Sequence, residues 1–156
     1  MEEKKMTNSS LEEYLAQAEI PLRLSCISNS GWPVVLSLWY LYEDGYLYCA
    51  TPQVAKVVSY LMVEPRCAFE IASDQPPYCG VRGRALATIK PDRGFDILER
   101  LLRRYLGGTE NALARQLLGR SQPEVAIRLS PKNYHTWNYS DRMAQSIAGE
   151  IDKLCP

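Results

Sequence analysis

Two periods take turns along this chain of 156 residues. Leu11, Leu15 and Ala18 recur at helical spacing in SSLEEYLAQAEIP and predict a short helix. Ser10 with Glu13 forms a capping box at its start, and Pro21 stops it. Leu22, Leu24 and Cys26 then alternate with Arg23 and Ser25, as on a strand with one face in the core. NSGWP is turn material. The run PVVLSLWYLYEDGYLYCAT predicts a hairpin that turns at Glu43-Asp44-Gly45. Its first arm is apolar on both faces, with Val34, Leu36, Leu38 and Tyr40 on one and Val35, Trp39 and Leu41 on the other. A strand covered on both sides in a chain this small lines a barrel with one face. The other face then meets a second subunit, a flat apolar ligand, or both.

After Thr51-Pro52 the spacing becomes helical again. Val54, Val57, Val58, Leu61 and Met62 form a stripe that ends at Glu64-Pro65. RCAFEIAS returns to strand alternation, DQPPYCG is a loop, and GVRGRALATIK is a strand with Arg82 and Arg84 on one face. FDILERLLRRYLGG predicts an amphipathic helix ended by glycines, and ENALARQLLGR a second one. PEVAIRLSPKNYHTWNYS holds one or two last strands, and the tail from Met143 is helical or disordered. This order predicts one mainly β domain over 1–156: an antiparallel sheet closed into a small barrel, with helices around it. Residues 1–20 form an N-terminal helix and leader, and 141–156 a flexible tail.

Composition narrows the function. Eighteen basic residues cancel eighteen acidic ones, so no net field favours nucleic acid or an anionic membrane. No apolar run reaches the roughly 20 residues of a membrane span, and the polar start lacks a secretory core, so a cytoplasmic protein is expected. Five cysteines include no Cys-x-x-Cys pair, and Cys26, Cys49 and Cys67 lie in apolar runs as small hydrophobes. Neither a disulfide framework nor a zinc site is expected, and Cys79, in a proline-rich loop, is the thiol to test for reactivity. No paired carboxylates, Gly-rich phosphate loop, Ser-His-Asp order or metal-ligand spacing appears, and no residue stands out as a catalytic acid or base.

The stretch LYCATPQVAKVV carries two readings. In one, Thr51 caps a helix and Pro52 occupies its first turn. In the other, the same helix start offers free N–H groups and a positive dipole end to an anion, with Lys56 adding a full charge. Local pattern alone does not separate them.

The segment from Gly31 to Arg84 resembles the flavin-binding split-barrel family, which includes pyridoxamine-phosphate oxidase and small flavin or deazaflavin reductases. GWPVVLSLWYLYEDGYLYCAT resembles its first hairpin, VAKVVSYLMVEPRCAFEIA its phosphate-binding helix and next strand, and PPYCGVRGRALATI the strand after that. Trp137 in YHTWNYS sits where such proteins often carry a tryptophan, and the plan covers Leu22 to Tyr139. The resemblance implies a homodimer with flavin mononucleotide (FMN) at the subunit interface and a small-molecule substrate. It places Val35, Leu36, Ser37 and Leu38 along the isoalloxazine ring. Ala50, Thr51 and Lys56 fall at the ribityl-phosphate end, Val57 counts among the cofactor-binding residues, and Trp137, from the partner chain, covers a ring face.

Some positions depart from the family. Val54-Ala55-Lys56 stands where many relatives carry Ser-x-Lys or Ser-Arg-Lys, and the closing arginine- and histidine-containing segment with which the oxidase grips its substrate phosphate is not evident in TWNYSDRM. Pyridoxamine-phosphate oxidation is therefore not expected. The deazaflavin F420 and haem are alternative cofactors, haem through His135, the sole histidine, which otherwise is an ordinary hydrogen-bonded strand residue. Arg82 and Arg84 receive an anionic substrate or a deazaflavin's acidic tail, or else pair with Glu70. Arg100, Arg103 and Arg104 read as a solvated helix face beside Asp96 and Glu99. The expected function is an FMN-dependent oxidoreductase, with a flavin-storing protein as the non-catalytic rival.

Overall fold

In the computed structural model, which describes residues 6–144, the apolar run from Pro33 to Glu43 is divided between the two edges of one sheet. β1 (Leu22–Ile27) and β2 (Pro33–Leu38) pair antiparallel, with Leu22 opposite Leu38 and Cys26 opposite Val34. After Trp39 and Tyr40 the chain continues as β3 (Leu41–Glu43), which pairs with β4 (Tyr46–Pro52). The expected turn is present, with Asp44 and Gly45 both at positive φ. The expected first arm is corrected: Val34 to Leu38 pair with β1 instead of β4, because the NSGWP turn makes the nearer hairpin.

The remaining strands are β5 (Arg66–Ala72), β6 (Cys79–Lys90), β7 (Glu124–Pro131) and β8 (His135–Asn138). Their order is β2-β1-β5-β6-β7-β4-β3, with β8 also on β6, and every pairing is antiparallel. The first and last strands of that path are joined by Trp39 and Tyr40 alone, a span of at most about 10 Å. The sheet must therefore curl until its ends meet, and the seam is closed by the chain itself instead of by a hydrogen-bonded ladder. This is a split barrel. Leu22, Leu24, Leu47, Cys49, Ile71, Val81, Ile127 and Leu129 fill its interior.

Helix α1 (Asn8–Gln17) is capped by Thr7, three residues before the expected cap at Ser10. Thr7 Oγ1 accepts the Ser10 N–H, and the Ser10 hydroxyl donates back to the Thr7 carbonyl at 2.9 Å, so the Ser10–Glu13 box does not form. Leu11 and Leu15 are buried in the main core as their spacing predicts. Its far end is held by Arg104, whose guanidinium donates to the Ala16 and Ala18 carbonyls at 2.6 and 2.7 Å and lies over the rings of Tyr40 and Tyr105. Carbonyls at a helix C-terminus lack internal partners, and a cation there also suits the dipole. Arg104 is thus no solvated residue, whereas Arg103 pairs with Glu99 as expected. Arg100 reaches past its helix to Glu43 at 2.9 Å, and this contact holds the Glu43 carboxyl below its usual range. Arg104→Ala is expected to speed amide exchange in α1 about tenfold or more while the sheet keeps its protection. Exchange followed by mass spectrometry reads this directly.

Helix α2 (Lys56–Val63) buries Val57, Val58 and Leu61 against the barrel, while Val54 precedes the helix and Met62 faces out. Helix α3 (Gly94–Leu106) lays Ile97, Leu98, Leu101 and Leu102 over the outer face of β4 and β7. Gly94 starts it in contact with the Glu124 backbone, where no side chain fits. Gly107, at positive φ, ends it. Helix α4 (Ala112–Leu118) follows, capped by Asn111, whose Oδ1 accepts the Ala114 N–H at 2.8 Å. Of the expected tail, residues 145–156 lie outside the described residues. No helix among the described residues is long and apolar enough to cross a membrane.

Candidate functional site

The head of α2 departs from the expected capping. Thr51 and Pro52 are the last residues of β4, opposite Val125 and Glu124, and Thr51 is buried. Gln53 to Ala55 make a turn, and the helix begins at Lys56 with Ala55 in the cap position and no side-chain cap. The strand extends through Thr51-Pro52 because β7 continues beside it. Ala55 N–H bonds the Pro52 carbonyl and Val58 N–H the Ala55 carbonyl. The N–H groups of Lys56 and Val57 have no partner among the described residues. No acidic side chain lies in the first turn. A lysine at the positive end of an uncapped helix is electrostatically unfavourable by itself, and an anion placed there reverses the sign.

Edge strand β2 runs between two grooves. Its inner side chains, Val34, Leu36 and Leu38, pack against the barrel core, and its outer ones, Val35 and Ser37, are exposed, Val35 by 69%. The expectation that this strand is apolar on both faces holds at Val35 and is interrupted at Ser37. Because only β1 pairs with it, its other edge carries backbone N–H and C=O groups outside any ladder.

The first groove, about 450 Å³, lies on the open face of β2, β1, β5, β6 and β8. Val35, Phe69, Arg82, Arg84, Asn133 and His135 line it. Glu70 stands opposite Arg82 in the ladder, yet no ion pair forms between Glu70 and either arginine. Arg82 instead lies over the Trp137 ring at 5.5 Å, while Arg23 nearby is held by Asp74 at 3.1 Å. The arginine pair is therefore available to an anion. The ring of Trp137 fits here only because Gly80 faces it: a Cβ at Gly80 would come within 2.6 Å of the indole.

The second groove, about 380 Å³, opens where β2 ends and α3 and α4 cross β4. Ser37, Leu38 and Ala50 line it, together with Trp39, Leu98, Leu101 and Leu117. Two charged residues that the sequence reading did not single out, Arg120 and Glu124, complete it. The Glu124 side chain is only 3% exposed, and its Oε1 has no hydrogen-bond partner. Arg120 approaches that oxygen at 3.6 Å, too far for a hydrogen bond and close enough for partial charge compensation. Burial is the main cause that pushes the Glu124 carboxyl up, against the opposing pull of Arg120. An acid whose folded pKa lies above its unfolded one favours the native state when protonated, and loses that advantage as pH rises from about 4.5. Glu124→Gln is therefore expected to be more stable than the parent at neutral pH. The gain should shrink toward pH 4.5, as thermal denaturation across pH would show.

The nine residues expected around a cofactor thus fall into separate places. Val35 and Trp137 are on the first-groove side, and Ser37, Leu38 and Ala50 line the second. Leu36, Thr51 and Val57 direct their side chains inward, Thr51 and Val57 buried and Leu36 partly so. Lys56 stands at the head of α2 and lines neither groove. The buried thiols are inert, since burial pushes Cys49 and Cys67 up to about 12. Cys79 is half-buried. No group of metal-binding side chains forms among the described residues.

No family model matches the sequence, and no curated protein does. Solved structures match its fold. F420 reductase aligns at 19% identity over 79% of this chain and 94% of that one, with a TM-score of 0.66. HutZ, the haem-storage protein from Vibrio cholerae, aligns at 14% identity over 84% and 94%, with a TM-score of 0.64. An FAD-binding protein from Mesorhizobium loti aligns at 18% identity over 88% and 99%, with a TM-score of 0.62. Identities this low speak for the backbone plan and leave the ligand to local geometry. With its curled antiparallel sheet closed at Trp39-Tyr40 and its peripheral helices, the chain has the split-barrel fold of the pyridoxamine-phosphate-oxidase-like proteins.

Proposed function

We propose that two copies of this chain hold FMN between them and that the bound flavin serves an oxidoreductase acting on a small molecule. The observation that carries this reading is Lys56 at the first position of an uncapped helix, with unpartnered N–H groups and no acidic neighbour in the first turn. That arrangement suits a phosphate dianion. The free edge of β2 supports the ring assignment, because an isoalloxazine carries an imide edge that pairs with backbone N–H and C=O groups. Two copies are invoked because Trp137 and Lys56 share no groove of one chain, so a partner's tryptophan supplies the missing ring face. Exposed Trp32, and exposed Val35 in the lining of the first groove, are apolar surface for such a contact. FMN itself supplies the redox chemistry. The protein's part is to seat the phosphate, present the strand edge and keep water from the ring.

The test is a titration of the purified protein with FMN, F420 and haem, followed by absorption and fluorescence, with the mass in solution measured alongside. FMN quenched on binding to a dimer is the expected result. A Soret band lost in His135→Ala would move the assignment to haem, tighter binding of F420 would move it to a deazaflavin, and a monomer that ignores all three would end it. Bound flavin that no nicotinamide donor reduces would favour storage over catalysis.

A further inference from the structure

The strand registers shape the first groove into a trough. Val35, Ser25, Ala68 and Arg84 stand in one row across β2, β1, β5 and β6, each directly opposite the next, so their side chains share the open face. Ser25 and Ala68 are short, which makes a flat floor between exposed Val35 at one end and exposed Arg84 at the other. Three strand spacings, about 14 Å, separate those ends. The next row, Arg23, Glu70 and Arg82, flanks the floor. From this arrangement we infer that the trough binds a flat aromatic acid with a single carboxylate. Its ring lies on Ser25 and Ala68, its apolar end meets Val35, and its carboxylate meets Arg84 and Arg82.

Charge fixes the class. Arg23 is compensated by Asp74 at 3.1 Å, and Glu70 offsets one of Arg82 and Arg84, so one positive charge is left over. A monoanion balances it, a second carboxylate would face Glu70, and a cation would meet two arginines. Both arginines are exposed, so a molecule in the trough reaches them. Asn133 adds a donor: its Oδ1 accepts the Arg84 N–H at 2.9 Å, which leaves its NH2 group for the ligand. The volume of about 450 Å³ suits a one- or two-ring acid. Val35 is also placed along the isoalloxazine ring, so the acid adjoins the cofactor as its substrate. That part rests on the FMN reading, and binding of the acid does not.

The experiment titrates cinnamate, cinnamamide and cinnamylamine into the full-length protein, read by ligand-observed NMR and calorimetry. Cinnamate is expected to bind about tenfold more tightly than the amide, and the amine to fail. Arg84→Gln, at an exposed position, should weaken cinnamate about tenfold or more and leave the amide within about twofold. Ala68→Leu, which raises the floor, should weaken both. Amide or amine binding as tight as that of cinnamate would overturn the inference. So would failure of cinnamate to bind, or equal cinnamate binding by the parent and both variants. FMN is added in a second arm. Cinnamate that shifts the flavin absorption band with both bound supports the substrate assignment, and cinnamate bound without a shift removes that assignment and leaves the trough. If FMN displaces cinnamate, the trough belongs to the cofactor and the inference falls. If cinnamate binds and FMN never does, the trough stands and the flavin reading falls.

Discussion

Lys56→Ala is expected to weaken FMN binding by one to two decades while the unliganded protein becomes slightly more stable. The two effects have opposite signs for one reason. With phosphate present, the lysine adds a charge-assisted contact of about 1.5–3 kcal/mol. Without it, the same charge sits at the positive end of an uncapped helix, where a cation costs about 0.3–1 kcal/mol at low ionic strength. A lysine with only a structural role would not produce that pairing. Riboflavin, which lacks the phosphate, is the control, and its affinity should be the same in both proteins. If the variant bound FMN as tightly as the parent, or lost riboflavin equally, the phosphate socket at α2 would be wrong.

Leu15→Ala is the second large effect, expected to cost about 2–5 kcal/mol. Leu15 is fully buried, and its carbonyl accepts the Tyr40 hydroxyl at 2.9 Å. Tyr40 is one of the two residues that join the edges of the sheet, so truncation loosens α1 and the seam together. At about 2–4 °C per kcal/mol for a chain of this size, the melting temperature should fall by roughly 4–20 °C. A side chain outside the core would change stability by no more than about 0.5 kcal/mol. Thermal unfolding in the absence of ligand decides it.

The elements themselves were readable wherever one period ran without competition. Leu22, Leu24 and Cys26 alternate and are buried; Leu11 and Leu15 repeat and are buried; the Asp44-Gly45 turn and the Gly107 helix end follow from backbone freedom at those positions. Helix starts were less readable. Both Thr51-Pro52 and Ser10-Glu13 have the right residues for a cap, but β7 extends the strand through the first and Thr7 takes over the second. Local chemistry proposes a cap, and a neighbouring element decides whether that residue is available.

Charged residues divide in the same way. The solvated role of Arg103 follows from Glu99 four positions away on its own helix. The role of Arg104 depends on carbonyls 86 and 88 positions distant, which no spacing rule reaches. Glu124 opens an apolar strand after a proline and looks like a solvent-facing start, until α3 and α4 close over it.

By itself, then, the sequence determined the periods, the turn and helix ends, and the presence of a lysine beside the strand-to-helix step after Thr51-Pro52, because each depends on neighbours within a few residues. Only the tertiary structure decided that Pro33–Glu43 serves both edges of the sheet, that the expected contact residues divide between two grooves, and that a carboxylate lies buried in one of them. Those outcomes depend on which distant segments compete for the same face, and packing settles that competition.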